Sequence, residues 1–324
     1  MFRTEVYQEP SPHKINLKDP VLCIGSCFAE IIGRRLHRNK FRALVNPFGT
    51  LYNPASIFHL LYDSINSYMP PPESYLQREE QFFNFRFHSD YTAESQEDLE
   101  IKIGRALDST RDHLKECQWV IITLGTALCY ERMDNGQIVA NCHKMPASYF
   151  HQRMLDPQEI VMRFEQMYLA AKAFNENARF IFTLSPVRHI RDTLVRNSVS
   201  KAVLRLAIER ILALYPEDVA YFPSYEIMMD DLRDYRFYEA DMIHPNKVAQ
   251  DYIWDKWVET YLDDPAIEFL MKWDKLSKAL EHRPFNRNSQ AHQRFVTKTI
   301  TQLEQLAGVV DVSVEIERMK KQLS

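Results

Sequence analysis

Three apolar runs do most to limit what this chain can fold into: Val21-Leu-Cys-Ile24, Trp119-Val-Ile-Ile-Thr-Leu124 and Arg179-Phe-Ile-Phe-Thr-Leu184. A strand with one wet face alternates apolar and polar residues, whereas a continuous run needs cover on both faces, as in a parallel sheet between layers of helices. Val219-Ala-Tyr-Phe222 adds a shorter fourth run. Amphipathic stretches separate these strands at residues 28–36, 54–65, 94–116, 157–174 and 197–214. The last of them places Val199, Val203, Leu204, Ile208 and Leu212 on one stripe. Strand and helix alternate up to residue 262, which predicts an α/β domain over 1–262 with a parallel sheet covered on both faces.

From Pro265 the strand signal stops. Residues 263–324 are expected to form a helical C-terminal appendage of two or three helices, broken near Pro284 and Gly308. Two local details stand out before that point. Phe83, Phe85 and Phe87 alternate with polar residues and predict a half-buried strand, and Asp134-Asn-Gly136 has the chemistry of a hairpin turn.

A net charge of −4 with both signs mixed along the chain gives no electrostatic footprint for nucleic acid or an anionic membrane. No stretch approaches the ~18 consecutive apolar residues of a membrane span, and the opening Met-Phe-Arg-Thr-Glu-Val lacks the apolar core of a leader. Five cysteines with no C-x-x-C pair suit free thiols in a reducing compartment, so the expected location is cytoplasmic and no cofactor is called for.

Ligands of open α/β sheets bind at the carboxyl ends of the strands. That rule gathers Ser26 and Cys27, Gly125 and Thr126, the Ser185-Pro-Val-Arg188-His189 segment, and Asp241 with His244 at one edge. Gly25 allows a sharp turn from strand to helix, which leaves Cys27 beside free backbone N–H groups and the positive helix end, where thiols ionise more readily. An Asp three residues before a His can hold the imidazole for a nucleophile, as acyl transfer requires. Asn53 and Asn246 are expected helix caps, the first with Pro54 at the first helical position, and Gly49 in Asn46-Pro-Phe-Gly49 offers an N–H toward the same edge. Arg188 and His189 are candidates to orient a carboxylate or sugar hydroxyl at the site mouth, against a capping or surface role. His88 and His143 are further candidates for substrate contact, and with Cys142 and His189 they lack the spacing of a metal site.

Gly25-Ser-Cys-Phe-Ala29 resembles the signature of the GSCFA-domain family. The resemblance continues through Asn46-Pro-Phe-Gly-Thr50, residues 83–89, Leu124-Gly-Thr-Ala127, Asn141-Cys-His-Lys144, residues 185–189 and Asp241-Met-Ile-His-Pro-Asn246. That family is in turn similar to the SGNH hydrolases, which implies a flavodoxin-like three-layer α/β/α sandwich. The likeness puts Cys27 in the place of the hydrolase serine, with His244 as base, Asp241 as its orienting group and Gly49 as an oxyanion donor. Residues 124–128 lack the asparagine of the third hydrolase block, and Thr126, Asn141 or a backbone N–H are the candidates to replace it. The implied function is hydrolysis of an acyl ester, such as an O-acylated carbohydrate or a small ester. Acyl transfer through the same residues, or a non-catalytic binding module, are the alternatives, and the helical tail is a candidate interaction surface.

Overall fold

The computed structural model describes residues 4–282, 284–286 and 289–323, so the first three residues of the leader reading lie outside it. Five strands, β1 (Val21–Gly25), β2 (Ala43–Val45), β6 (Trp119–Leu124), β10 (Arg179–Leu184) and β11 (Val219–Phe222), form one parallel sheet in the order β11-β10-β6-β1-β2. Numbered within this sheet, the order is 2-1-3-4-5, the flavodoxin-like arrangement, whose switch point lies between the first and third strands.

Each continuous apolar run is split between two cores. Val120, Ile122 and Leu124 of β6 point into one, and Trp119 and Ile121 into the other. The first core is covered by α2 (Pro54–Asn66), α3 (Gln96–Glu116), α4 (Pro157–Phe174) and α5 (Leu194–Leu214), through residues such as Leu60, Leu99, Phe164 and Leu204. The second is covered by α1 (Cys27–Arg38) and α7 (Lys247–Tyr261), through Phe28, Ile32, Ile253 and Trp257. This makes three layers, α/β/α. Both asparagine caps form: Asn53 accepts from the Ser56 N–H at 2.8 Å, and Asn246 from the Ala249 N–H at 3.1 Å.

The helices after residue 262 are α8 (Asp264–Glu281), α9 (Gln290–Glu304) and α10 (Ser313–Lys320). They do not stand apart from the sheet domain. Phe269, Trp273, Val296, Leu303 and Met319 join the same apolar cluster as Phe28, Ile32 and Leu36 of α1. The Trp273 indole N–H donates to the Arg38 carbonyl at 2.9 Å, and Lys40 pairs with Glu315 at 2.6 Å. The expected appendage is thus a buttress on the outer side of α1.

Two small antiparallel sheets accompany the main one. One joins β3 (Tyr75–Arg78), β4 (Gln81–Asn84) and β5 (Thr92–Ala93), and the other joins β7 (Leu128–Arg132), β8 (Ile138–Val139) and β9 (Phe150–Met154). The β7–β8 hairpin turns at Gly136, whose φ is 70°, as Asp134-Asn-Gly136 predicts. The phenylalanine strand is shorter than its alternation suggests. It ends at Asn84, whose carbonyl accepts from the Phe87 N–H at 3.1 Å and whose side chain accepts from the Arg86 N–H at 3.0 Å. Phe85 and Phe87 therefore reach the core from a turn.

Replacing Trp273 by alanine removes a large side chain, 4% exposed, from a cluster shared with the sheet domain. The expected loss is about 3–5 kcal/mol in urea unfolding, as one transition seen by both far-UV dichroism and tryptophan fluorescence. Early melting of the C-terminal helices alone would contradict a shared core.

Candidate functional site

The site begins with backbone geometry at the end of β1. Gly25 pairs with Thr123 in the sheet and has φ of 134°; a Cβ there would collide with the Thr123 carbonyl. The turn is then held from three directions. The Gly25 N–H donates to the Asn46 side chain at 2.9 Å, the Gly25 carbonyl accepts from the Leu51 N–H at 2.9 Å, and the Ser26 N–H donates to Thr123 at 3.0 Å. Ser26, 1% exposed, caps α1 by accepting from the Phe28 N–H at 3.3 Å. Its hydroxyl is a structural cap beside Cys27.

Cys27 is the first residue of α1 and half-buried. Burial pushes its thiol pKa up; Lys201 and the N–H groups of Phe28 and Cys27 itself pull it down, and Glu30 adds a weaker upward push. Burial wins, so the resting thiol keeps its proton, yet the groups that favour the thiolate are already in place.

Lys201 was invisible in the apolar pattern. Val199 is 51% exposed, and the buried stripe of α5 runs instead through Asn197, Ser200, Lys201, Leu204, Ala207, Ile208 and Ile211. A polar triplet at helical spacing that continues an apolar stripe was the available signal. All three of its members are used at the sheet edge. Ser200 Oγ bonds Thr126 Oγ1 at 2.9 Å and the Ala127 N–H at 2.7 Å, and Asn197 accepts from the His189 N–H at 2.9 Å. Lys201, 2% exposed, donates to the carbonyls of Gly125 at 2.8 Å and Ser185 at 2.7 Å. Burial lowers its pKa to about 7, with Cys27 as the opposing influence.

His189 shares this pocket. Its Nε2–H donates to the Gly125 carbonyl at 3.1 Å, which leaves Nδ1 free to accept, and its ring meets Tyr52 edge to face at 6.1 Å. Burial and Lys201 lower its pKa, so the neutral ring is favoured. Gly125 and Thr126 both donate their N–H groups to the Tyr52 carbonyl, at 2.9 and 3.0 Å. They shape the edge and leave no N–H for a ligand.

Asp241 and His244 form a dyad in an exposed loop. Asp241 Oδ2 holds His244 Nδ1 at 2.6 Å, while Oδ1 accepts from the N–H groups of Ile243 at 2.9 Å and His244 at 3.0 Å. The His244 N–H and side chain, then the Ile243 N–H, hold Asp241 down at about 2. Arg188 ties this loop to the segment after β10 by donating to the Met242 carbonyl at 2.8 Å, with the ring of Tyr238 at 4.9 Å. Its role is that of a loop clamp. Among the described residues no hydrogen bond or ion pair joins His244 to Cys27.

Four predicted positions do other work. The Gly49 N–H, expected to face an oxyanion, donates to the Asn46 carbonyl at 2.9 Å in a tight turn, against which the His88 side chain packs. His88 Nδ1 lies 3.2 Å from Asp90. Asn141 Oδ1 accepts from the His143 N–H at 2.8 Å. His143 is buried between the small sheets, stacked on Phe83 at 4.6 Å with Nε2 shared by the Asn84 and Phe87 carbonyls, each at 3.1 Å. Among the described residues no hydrogen bond or ion pair joins any of these four to Cys27; each is held by its own turn or sheet.

Family comparison agrees with the motif content. The model described as the GSCFA family matches residues 20–257, and that described as the GSCFA domain protein, C-terminal domain, matches 273–324. The chain belongs to the GSCFA family. No curated protein and no solved structure matched it. This GSCFA chain has no helix, among the described residues, long and apolar enough to cross a membrane. Nor do the described residues include three or more His, Cys, Asp or Glu placed to hold a metal.

Burial lowers the His143 pKa despite the two carbonyls at its Nε2. A base whose folded pKa is depressed contributes stability that is lost as pH falls through its unfolded pKa, about 6.5, because the unfolded chain then binds the extra proton. The gap in urea midpoint between wild type and His143→Gln should therefore shrink between pH 7.5 and 5.5. A gap that widens on acidification would contradict a buried neutral ring.

Proposed function

We propose that this GSCFA protein is an SGNH-like acyl-ester hydrolase with Cys27 as nucleophile, acting on an O-acylated carbohydrate or a small ester. The observation that carries this reading is the seat of Cys27. It lies at the first turn of α1, at the β1/β6 switch point, with two backbone N–H groups drawing charge onto its sulfur. An α/β sheet binds ligands at that crevice, and a helix N-terminus favours the anion that attacks.

In the proposed reaction His244 Nε2 accepts the Cys27 thiol proton as the sulfur adds to the ester carbonyl carbon, and the oxyanion rests on N–H groups at the start of α1. This replaces the Gly49 donor, whose N–H is taken up by Asn46. Collapse breaks the ester C–O bond, and His244 Nε2–H protonates the departing alkoxide. Neutral His244 then takes a proton from water as it attacks the thioester; the acid leaves and the proton returns to sulfur. Asp241, bonded to Nδ1, fixes the tautomer this needs and supports the imidazolium. Closing the Asp241–His244 loop over Cys27 completes the site, and Arg188 is the clamp through which that loop is held. General acid–base help of this kind is typically worth about 10²–10⁴-fold in rate.

Labelling by an acyl-fluorophosphonate probe and turnover of p-nitrophenyl acetate test the assignment. Cys27→Ala should abolish both, and His244→Ala should slow turnover about 10²–10⁴-fold while leaving the fold intact. Undiminished labelling of Cys27→Ala would remove the thiol from the reaction.

A further inference from the structure

We propose that the cleft between α2 and α4 is a second ligand site, separate from Cys27, that takes a small organic monocarboxylate with an apolar body. The proposal goes beyond the acyl-ester reading and does not rest on it.

Two cavities, of about 350 and about 240 Å³, share Ala55, His59, Arg86 and Arg163 in their walls. The larger has the size of an ordinary small-molecule pocket. Helical spacing builds the trough. Ala55, His59 and Asp63 recur every four residues along α2, and Arg163 and Met167 answer them from α4. Arg86 enters from the turn after β4, within the 83–89 stretch that the sequence singles out and that the Cys27 site leaves unused.

Both arginines are held in place by acids. Arg86 Nη1 donates to Asp63 Oδ2 at 2.9 Å, and the Asp63 side chain is 6% exposed. Arg163 Nε and Nη2 converge on Glu159 Oε1, at 3.0 and 2.9 Å. A guanidinium has five N–H donors in a fixed fork. Among the described residues no hydrogen bond uses Arg86 Nη2 or Arg163 Nη1, so each arginine keeps donors for a ligand. Anchored, partly buried forks of this kind suit the planar carboxylate.

The charges in the walls set the valence of the ligand. Arg86 and Arg163 stand against Asp63, which leaves one net positive charge and matches a monoanion. Glu159 lies outside the walls and is shared with Arg153, at 2.7 and 2.9 Å. Asp63 opposes an anion, but its Oδ2 is engaged by Arg86 and lies 3.3 Å from His59 Nε2. Burial, then Arg86 and Arg163, hold the His59 pKa down at about 4, so the ring is neutral and the field around it is positive.

The two ends of the trough differ. The larger cavity continues along Phe58, Tyr62, Met69 and Met167, where a ring or short chain loses water-exposed apolar area. The smaller runs along Gly136 and Gln137 of the β7–β8 hairpin and past Ser56, whose buried hydroxyl has no partner among the described residues. A carboxylate at the shared arginines thus places its body toward the aromatic end.

Calorimetric titration of the full chain with benzoate, phenylacetate and hexanoate tests this, with benzamide and inorganic phosphate as comparisons. At least one carboxylate should bind saturably below about 10 mM, and benzamide about tenfold more weakly or not at all. Arg163→Gln, at a half-exposed position, should weaken the carboxylate about tenfold with the far-UV dichroism unchanged. Arg86→Lys keeps a cation for Asp63 but loses the fork, and should weaken it too. Cys27→Ala should bind as wild type does. Histidine NMR reads the location: a bound anion should raise the depressed His59 pKa.

The assignment is overturned if none of the three carboxylates binds, if benzamide binds equally well, or if phosphate alone binds. Unchanged affinity in folded Arg163→Gln, or a His59 titration indifferent to ligand, would do the same. Loss of binding in Cys27→Ala would move the carboxylate to the acyl site and remove the second one. Failure of ester turnover with carboxylate binding intact would refute the hydrolase reading and leave this site standing.

Discussion

The close pairing of β1 with β6 is the constraint on which the rest depends. At Gly25 the backbone lies against the Thr123 carbonyl with no room for a side chain, and the chain leaves the sheet at a positive φ to enter α1 two residues later. Because the pairing is parallel, the strands end at the same level. Gly33, one turn into the other end of α1, repeats the closeness: a Cβ there would stand 2.7 Å from both Val45 methyls. Gly33 therefore sets α1 nearer to β1 and β2 than a side chain would permit, while Gly25 turns the chain so that the positive end of α1 lies at the crevice where ligands of such sheets bind. Glycine is scarce here, 7 residues in 324, and its placement at these contacts is correspondingly informative.

Burial shapes the electrostatics of this crevice more than paired charge does. Cys27, Lys201 and His189 are all shifted toward their neutral forms. The Asp241–His244 pair is the opposite case, exposed and held by directed hydrogen bonds. An inner group of buried, carbonyl-bonded side chains on α5 and after β10 thus contrasts with an outer, exposed carboxylate–imidazole pair on a loop held by Arg188.

Most of the scaffold was legible in the sequence because it rests on local rules. Continuous apolar runs marked the strands, Asn53 and Asn246 marked helix starts, and Asp134-Asn-Gly136 marked its hairpin. The turn at Gly25 could be read from strand, glycine and helix in succession. What escaped detection depended on distant partners. Lysine is ordinarily exposed, so Lys201 gave no hint that the Gly125 and Ser185 carbonyls would receive it, and Val199 competed for the inward face of α5. His143 looked chemical, but a phenylalanine face and two carbonyls from another segment make it a brace. Gly49 sat in the right loop, yet its N–H closes that loop's own turn. The C-terminal helices were visible as helices, while their shared core with α1 is a tertiary fact that helical periodicity does not carry.

That shared core links the two family segments in inheritance. Helices α8 to α10 cover the apolar side of the helix that carries Cys27, through Trp273, Val296 and Met319 in one cluster with Phe28, Ile32 and Leu36. A recombination break between residues 257 and 273 would leave that surface facing water on one product and an unsupported helical hairpin on the other. Descent should therefore keep the pair together, with substitutions at the Arg38–Trp273 and Lys40–Glu315 contacts compensated across the junction.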